Sequence, residues 1–227
     1  MQMIKLLILD IDGTITQKDQ SILPETLVAL RKVVFSNPEM HICLASGNVL
    51  PVMFGVRTIL GVGESLAGEN GGILLYKQRI TSYFQKQKTV DAYKEIEKDL
   101  GAVEFITNRW RETSISFILN GSYDFTKYEK KYDVVIQDSG FAKHILNKGQ
   151  NKGFIARELM KIYAVSKDET LACGDGDNDA DLFEVVGMSG TISNGSRSVK
   201  ERAEYVSEKA YGDGLIDIMK HFRLLEE

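Results

Sequence analysis

Continuous apolar runs alternate with amphipathic stretches through the first third of the chain. The runs Ile4 to Leu9 and Ile42 to Ala45 predict two buried strands. Each is followed by apolar residues at helical spacing, around Leu30 after the first strand and from Pro51 to Gly61 after the second. This order of strand, helix, strand and helix is typical of a parallel sheet covered by helices on both faces.

The same alternation returns after residue 150. Its predicted elements are a helix through Ile155, Leu159 and Ile162, a strand from Thr170 to Cys173, a helix through Leu182, Phe183 and Val186, short strands near Thr191 and Tyr205, and a closing helix to Phe222. We therefore expect an α/β protein whose core is a doubly wound parallel sheet of the Rossmann-like kind, assembled from residues 1–81 and 148–227.

Residues 82–147 follow a different pattern, which predicts a small inserted α+β cap domain. Its predicted elements are a helix from Val90 to Leu100, strands around Phe105 and from Ile115 to Leu119, a short helix from Phe125 to Lys131, and strands from Val134 to Gln137 and from Lys143 to Leu146. With three prolines in the whole chain, no rigid linker is expected between insert and core.

Composition narrows the function classes. The chain has 227 residues, 43% of them hydrophobic and 26% charged, as in ordinary folded domains. Its formal net charge of −4 gives no reason to expect a nucleic-acid partner, because such binding relies on a concentrated basic surface. No secretory signal or membrane-length run occurs, and Cys43 and Cys173 lie in strand-like runs that favour free buried thiols. We therefore expect a cytoplasmic protein without membrane association.

Acidic clusters follow two predicted strands. The first strand ends in Asp10-Ile11-Asp12-Gly13-Thr14, and the strand at Leu171 ends in Gly174-Asp175-Gly176-Asp177-Asn178-Asp179. Ligands bind outside the carboxyl ends of parallel strands, and carboxylates that converge there repel one another unless a cation or proton intervenes. Hard oxygen ligands of this kind suit Mg²⁺.

Two other interpretations of these acidic clusters do not involve a magnesium site. Aspartate and glycine are common turn formers, and Asp177 or Asn178 could simply cap the next helix, although two clusters at two strand ends exceed what turns require. A calcium loop starting at Asp175 is disfavoured, because Ala180 and Val186 stand where a glycine and a glutamate are needed.

Two further groups suit a phosphoryl ligand. Ser46, Gly47 and Asn48 precede one predicted helix and Lys152 lies at the start of another, and helix N-termini favour phosphate through free N–H groups and the helix dipole. Taken alone, Ser46 could be only a cap and Lys152 only a solvated surface lysine.

These residues, in this order, resemble the four motifs of the haloacid dehalogenase (HAD) superfamily phosphatases. The matching segments are Asp10-x-Asp12-Gly13-Thr14, Ser46-Gly47-Asn48, Lys152, and Gly174-Asp175-x-x-Asn178-Asp179. The resemblance implies that Asp10 attacks phosphorus to form an aspartyl-phosphate, and that Asp12 protonates the leaving oxygen and then activates water. It also implies metal ligands at Asp10, Asp12, Asp175 and Asp179, and phosphate or substrate contacts from Ser46, Gly47, Lys152 and Asn178.

The long gap between Ser46 and Lys152 puts the cap between the second and third motifs, as in the Cof-like subclass. Gly68-Glu69-Asn70-Gly71-Gly72 and Asn108-Arg109-Trp110-Arg111-Glu112 are most similar to the archaeal phosphoglycolate phosphatases. This similarity implies a small phosphorylated metabolite, 2-phosphoglycolate, whose carboxylate Arg109 or Arg111 could bind bidentately. Alternatively, both arginines are solvated or packed against Trp110.

Other interpretations stay open at this point. A sugar phosphate is the second substrate hypothesis, and a receiver-type signalling domain that holds phosphate on Asp10 is a third function. Neither a monomer nor a homodimer is favoured. His41, His144 and His221 do not form a metal-ligand cluster in the sequence, and His144 is a weak candidate for substrate contact.

Overall fold

The computed structural model describes residues 3–139 and 142–226. Its strands are β1 (Leu6–Asp10), β2 (His41–Ala45), β3 (Ser65–Gly68), β4 (Ile73–Tyr76), β5 (Arg79–Ser82), β6 (Val103–Glu104), β7 (Ile115–Ile118), β8 (Val134–Asp138), β9 (Lys143–Asn147), β10 (Thr170–Cys173), β11 (Met188–Thr191) and β12 (Tyr205–Val206). Its α-helices are α1 (Pro24–Ser36), α2 (Leu50–Leu60), α3 (Gln87–Leu100), α4 (Thr126–Tyr132), α5 (Lys152–Tyr163), α6 (Ala180–Phe183), α7 (Arg197–Lys200) and α8 (Tyr211–His221).

The larger sheet has eight strands in the order β12-β11-β10-β1-β2-β3-β4-β5. Strands from β12 to β3 pair in parallel, and all five residues of β1 are buried at the centre. Leu7 and Leu9 pack into one apolar cluster with α1, α2 and α8, while Leu6 and Ile8 pack into another with α5 and α6. Burial on both faces explains the unbroken apolar runs and confirms the predicted doubly wound α/β core.

The edge formed by β3, β4 and β5 was not predicted from the hydrophobic pattern. β4 and β5 pair antiparallel across a two-residue turn, Lys77-Gln78, in which both residues have positive φ, 46° and 63°. Such turns are usually recognised by Asn-Gly or Asp-Gly, so this sequence carries no signal for the hairpin. The parallel core therefore has an antiparallel edge.

The smaller sheet has the order β6-β7-β9-β8 and is antiparallel throughout. One of its faces packs on α3 and α4 around the buried rings of Phe117 and Tyr128. We refer to α3, α4 and β6–β9 as the inserted unit. The strand expected around Phe105 is displaced to Val103–Glu104, because residues Ile106–Trp110 form a 3₁₀ turn.

Cys43 and Cys173 are buried and unpaired within the described part of the chain. None of the helices in residues 3–139 and 142–226 combines the length and the hydrophobicity required to cross a bilayer.

Candidate active site

Three carboxylates from neighbouring strand ends converge at the carboxyl edge of the large sheet. Asp10 is the last residue of β1, and Asp175 and Asp179 follow β10, which pairs with β1. One oxygen from each carboxylate lies within 4.8 Å of the others. Asp10 is 5% exposed and Asp179 is fully buried, so their charges need partners inside the protein.

Lys152 supplies one of those partners. Its Nζ forms ion pairs with Asp10 Oδ1 and, at 2.6 Å, with Asp179 Oδ1, and its side chain is fully buried. Lys152 begins α5, and Asn151 caps that helix by accepting a hydrogen bond from the Phe154 N–H. The solvated-surface interpretation of this lysine is therefore excluded.

The glycine and threonine after Asp12 allow the two acidic segments to approach each other. Gly13 has φ +90°, and an added Cβ would lie 2.5 Å from Asp175 Oδ2, so a larger residue would meet both strain and collision. The Thr14 hydroxyl donates to Asp175 Oδ1 at 2.7 Å. Asp179 Oδ2 accepts from the Asp175 and Gly176 N–H groups at 3.1 and 3.0 Å.

Burial and repulsion from neighbouring carboxylates disfavour ionisation of Asp10 and Asp175. Burial raises the pKa of Asp10 well above its ordinary value, Lys152 opposes that shift, and Asp179, Asp175 and Asp12 add to it. Burial likewise raises the pKa of Asp175 to about 6, against the lowering effect of the Thr14 hydroxyl. The pKa of Lys152 is raised because the attraction of Asp10 and Asp179 outweighs its desolvation.

This donor set fits a hard divalent cation. Three carboxylates face a single lysine charge, and their oxygens are close enough to share one ion. A cation there would favour the ionised carboxylates that burial disfavours. Asp10, Asp175 and Asp179 are the side chains that could hold it.

Asp12 extends towards solvent from the same strand end. Its Oδ2 accepts hydrogen bonds from Ser46 Oγ at 2.9 Å and from Asn48 Nδ2 at 3.1 Å. Ser46 follows β2, the other neighbour of β1, and its hydroxyl also accepts from the Asn48 N–H at 3.0 Å. The first two motifs identified in the sequence are thus in direct contact.

A cavity of about 770 Å³ separates this acidic region from the inserted unit. Asp10, Asp12, Gly47, Asp175 and Asn178 lie on its core side. Phe105, Arg111, Gln137 and His144 lie on the opposite side. A small molecule bound there would contact both the acidic cluster and the inserted unit.

Arg109 and Arg111, both predicted to contact the substrate carboxylate, line different pockets. Arg111 is 4% exposed, lines the cavity, and donates from Nη1 to the Gly47 carbonyl at 3.2 Å. Arg109 instead lies with its guanidinium 5.6 Å from the Trp110 ring centre and lines another pocket, beside Phe54 and Ile80. Arg109 therefore fits the alternative of packing on Trp110, and its assignment to the substrate site stays a prediction.

His144 occupies the centre of a polar row on the inserted sheet. It pairs across the strands with Ser116 and Gln137, and its Nδ1 lies 2.8 Å from the Ser116 hydroxyl. Burial and the charge of Arg111 lower the pKa of His144 to about 4, so the ring is neutral at neutral pH. The other histidines stack elsewhere, His41 on Tyr163 and His221 on Tyr205.

Asn70 and Gln137 line the cavity, but the sequence analysis assigned no role to either of them. Asn70 follows β3 and accepts a hydrogen bond from Asn178 Nδ2 at 2.9 Å. The hydrophobic pattern does not predict β3, so the segment Gly68 to Gly72 could be identified in the sequence only through its similarity to the phosphatase family. Gln137 faces the cavity because residues alternate along β8, and this register could not be derived before the strand pairing was known.

Comparisons with known proteins agree with this arrangement. The family model for haloacid dehalogenase-like hydrolases matches residues 7–133 and 122–219. A phosphoglycolate phosphatase of Picrophilus torridus is 39% identical over 98% of this chain and 93% of its own, and one of Thermoplasma volcanium is 34% identical over 98% and 100%.

Solved structures extend the comparison to three dimensions. A crystal structure of a Thermoplasma acidophilum protein superimposes with a TM-score of 0.90 at 31% identity, covering 99% of this chain and 100% of that one. The sucrose-phosphatase of Synechocystis shares the fold, with a TM-score of 0.79 at 17% identity and full coverage of both chains. The chain belongs to the haloacid dehalogenase-like hydrolases.

Proposed function

We propose that this protein is a divalent-metal-dependent phosphatase that hydrolyses 2-phosphoglycolate to glycolate and phosphate. The observation that carries the proposal is the composition of the cavity, which has the buried Asp10 carboxylate on one side and the buried Arg111 on the other. A short substrate with a phosphate at one end and a carboxylate at the other fits this cavity once the acidic cluster holds a divalent cation, because the cation offsets repulsion between the carboxylates and the phosphate.

Asp10 is the proposed nucleophile. Its carboxylate attacks phosphorus, the bond from phosphorus to the substrate oxygen breaks, and an aspartyl-phosphate results. Lys152 contacts Asp10 and carries a positive charge, which favours the ionised carboxylate that attack requires. A divalent cation, for which we propose Mg²⁺, would neutralise phosphoryl oxygens when bound by Asp10, Asp175, Asp179 and the backbone of Asp12.

Asp12 is the proposed acid and base. It gives a proton to the leaving oxygen and later takes one from the water that cleaves the acyl-phosphate. Hydrogen bonds from Ser46 and Asn48 hold its carboxylate at the edge of the cavity. We propose that the segment of Ser46 and Gly47 binds phosphate beside Asp12, and Gly47 and Asn178 line that side of the cavity.

The relatives support the choice of substrate. Proteins named phosphoglycolate phosphatase match this chain over nearly its full length, so the cavity and the inserted unit are both within the aligned region. We propose that Arg111 binds the substrate carboxylate, because it is buried and lines the cavity. Glu69, the carboxylate whose charge favours the protonated form of Arg111, is linked to it through the Ser114 hydroxyl.

The test is phosphate release from a panel of esters with and without Mg²⁺. The panel contains 2-phosphoglycolate, ethyl phosphate, several sugar phosphates and an aryl phosphate. We expect metal-dependent hydrolysis with the highest kcat/KM for 2-phosphoglycolate. Preference for a sugar phosphate would replace the substrate but keep the mechanism, and stable phosphorylation of Asp10 without turnover would indicate a signalling domain instead.

A further inference from the structure

One buried carboxylate outside the acidic cluster has no part in the chemistry described so far. Glu69 lies in the turn between β3 and β4 and is 1% exposed. It accepts five hydrogen bonds from residues Glu112–Ser114, which directly precede β7 of the inserted unit. The donors are the N–H groups of Glu112 (2.7 Å), Thr113 (3.0 Å) and Ser114 (2.9 Å) and the hydroxyls of Thr113 (3.0 Å) and Ser114 (2.7 Å).

The turn that carries Glu69 has an unusual backbone. Glu69 and Asn70 have φ values of 53° and 52°, the left-handed region that residues with a side chain rarely adopt. Consecutive residues persist there only when the surroundings hold them. The result is that one turn directs Glu69 towards segment Glu112–Ser114 and Asn70 towards the cavity.

The hydrogen bonds between Glu69, Ser114 and Arg111 have a defined direction. The Ser114 hydroxyl gives its single hydrogen to Glu69 Oε2, so its lone pairs are left to accept from Arg111 Nη1, at 2.9 Å. The same Nη1 donates to the Gly47 carbonyl. Within residues 3–139 and 142–226, Arg111 Nε has no hydrogen-bond partner although it is buried. A guanidinium that is held in place at the cavity lining suits a substrate carboxylate.

We propose that Glu69 is a positioning residue, which sets Arg111 in the cavity through Ser114 and so determines selectivity for a carboxylate-bearing phosphate ester. The proposal rests on the proposed function for its substrate. It goes beyond that function because Glu69 acts through Arg111 and does not contact the cavity residues Asp10 or Asp12 in any hydrogen bond of the described chain.

The first experiment replaces Glu69 by glutamine, which keeps the shape but substitutes an N–H donor for one acceptor oxygen. The readout is kcat/KM for 2-phosphoglycolate divided by that for ethyl phosphate, which has a methyl group in place of the carboxylate. We expect this ratio to fall about tenfold in Glu69→Gln, mainly because 2-phosphoglycolate binds more weakly and its KM rises. Equal losses on both esters would show that Glu69 only maintains the fold and would overturn the proposal.

A matched pair of variants separates positioning from general support. Ser114→Ala and Thr113→Val each remove one hydroxyl donor from the same oxygen of Glu69, but only Ser114 contacts Arg111. Ser114→Ala should lower the ratio severalfold, and Thr113→Val should leave it within about twofold. Equal effects of the two variants would contradict the role of Ser114. This pair also serves if Glu69→Gln fails to fold.

Coupling gives an independent criterion. If Glu69 acts through Arg111, adding Glu69→Gln to Arg111→Ala should not lower the ratio further. Additive losses would overturn the proposal.

A last measurement does not depend on the substrate. In the intact protein, the Arg111 Nε–H should give a resolved nitrogen-15 NMR signal, assigned from its loss in Arg111→Ala. That signal should shift or broaden in Glu69→Gln and stay in place in Thr113→Val. An unchanged signal in Glu69→Gln would overturn the positioning role. Absence of any preference for 2-phosphoglycolate in the unmodified enzyme would instead reject the proposed substrate.

Discussion

The two sides of the catalytic cavity are held by different kinds of contact. On the core side, Asp10, Asp179 and Lys152 form buried ion pairs at the ends of adjacent strands. On the opposite side, Arg111 and His144 are held mainly by uncharged groups, the Ser114 hydroxyl and Gly47 carbonyl for the first and the Ser116 hydroxyl for the second.

This difference indicates a division of labour. Charges held at a sheet edge suit phosphoryl chemistry, which is common to every phosphate ester. Arg111 and His144 are held by hydrogen bonds whose geometry depends on how the inserted unit is folded. These two residues suit recognition of the rest of the substrate. Changes on the core side should therefore affect all esters alike, and changes on the other side should affect selectivity.

The largest effect is expected from Asp10→Asn. The amide is nearly isosteric with the carboxylate but cannot attack phosphorus, so kcat should fall by roughly 10⁴-fold or more on every ester. Circular dichroism and the thermal midpoint should show that the fold is retained. Asp19→Asn, a change at an exposed aspartate, is the control and should keep full activity. Normal turnover by Asp10→Asn would remove the nucleophile assignment.

The next effect concerns stability of the metal-free protein. The folded pKa of Asp175 is about 6, above the ordinary value near 3.9, so the folded state binds the extra proton. Stability should therefore decrease as pH rises from about 4 to about 6, by on the order of 3 kcal/mol. Urea unfolding at several pH values in a chelator would measure the decrease.

Two controls sharpen this stability measurement. Asp175→Asn should flatten the decrease, because the amide does not titrate. Mg²⁺ at neutral pH should raise the unfolding midpoint of the unmodified protein by binding the folded state. A stability that rises over this pH range in the absence of metal would contradict the proposed electrostatics.

A smaller and more selective effect is expected on the inserted side. Arg111→Ala should lower kcat/KM for 2-phosphoglycolate by about 10- to 100-fold, because one charge-assisted contact is lost. Arg109→Ala should change it by less than about twofold, since Arg109 packs on Trp110. Steady-state kinetics with ethyl phosphate as the reference ester would separate the two. Equal effects of the two substitutions would favour a substrate contact from Arg109 as well.

The smallest effect is expected from His144→Asn. Burial and the charge of Arg111 lower the pKa of this ring to about 4, so it can contribute only a neutral hydrogen bond near neutral pH. In this variant KM for 2-phosphoglycolate should rise about threefold, and this factor should be the same at every pH from 6 to 8. His221→Asn, which alters a ring stacked on Tyr205, is the control. A loss confined to low pH would mean that His144 is charged when it acts.

The core side could be predicted closely from the sequence. Each acidic cluster directly follows an apolar run, and in a parallel sheet such strand ends meet at one edge. Pairing of β1 with β2 and β10 brings Asp10, Ser46 and Asp175 to that edge. The close approach at Gly13 is visible only in three dimensions, but its glycine is part of the motif.

The inserted side could be predicted only in outline. The periodicity of residues 82–147 indicated helices and strands, but short strands leave their register open, and a shift by one residue reverses the faces. Whether His144 and Gln137 face the cavity was therefore undetermined, and so was the choice between Arg109 and Arg111. Both arginines lie beside Trp110 in sequence, and local composition cannot distinguish them.

The sequence alone thus determined the alternation of strands and helices, the acidic clusters at strand ends and the chemistry they can perform, because these depend on local pattern and on the regular geometry of a parallel sheet. The tertiary structure decided which arginine enters the cavity and how Glu69 reaches it through Ser114. Those contacts join residues about 45 positions apart across the junction of core and inserted unit, and their geometry depends on packing that no local pattern encodes.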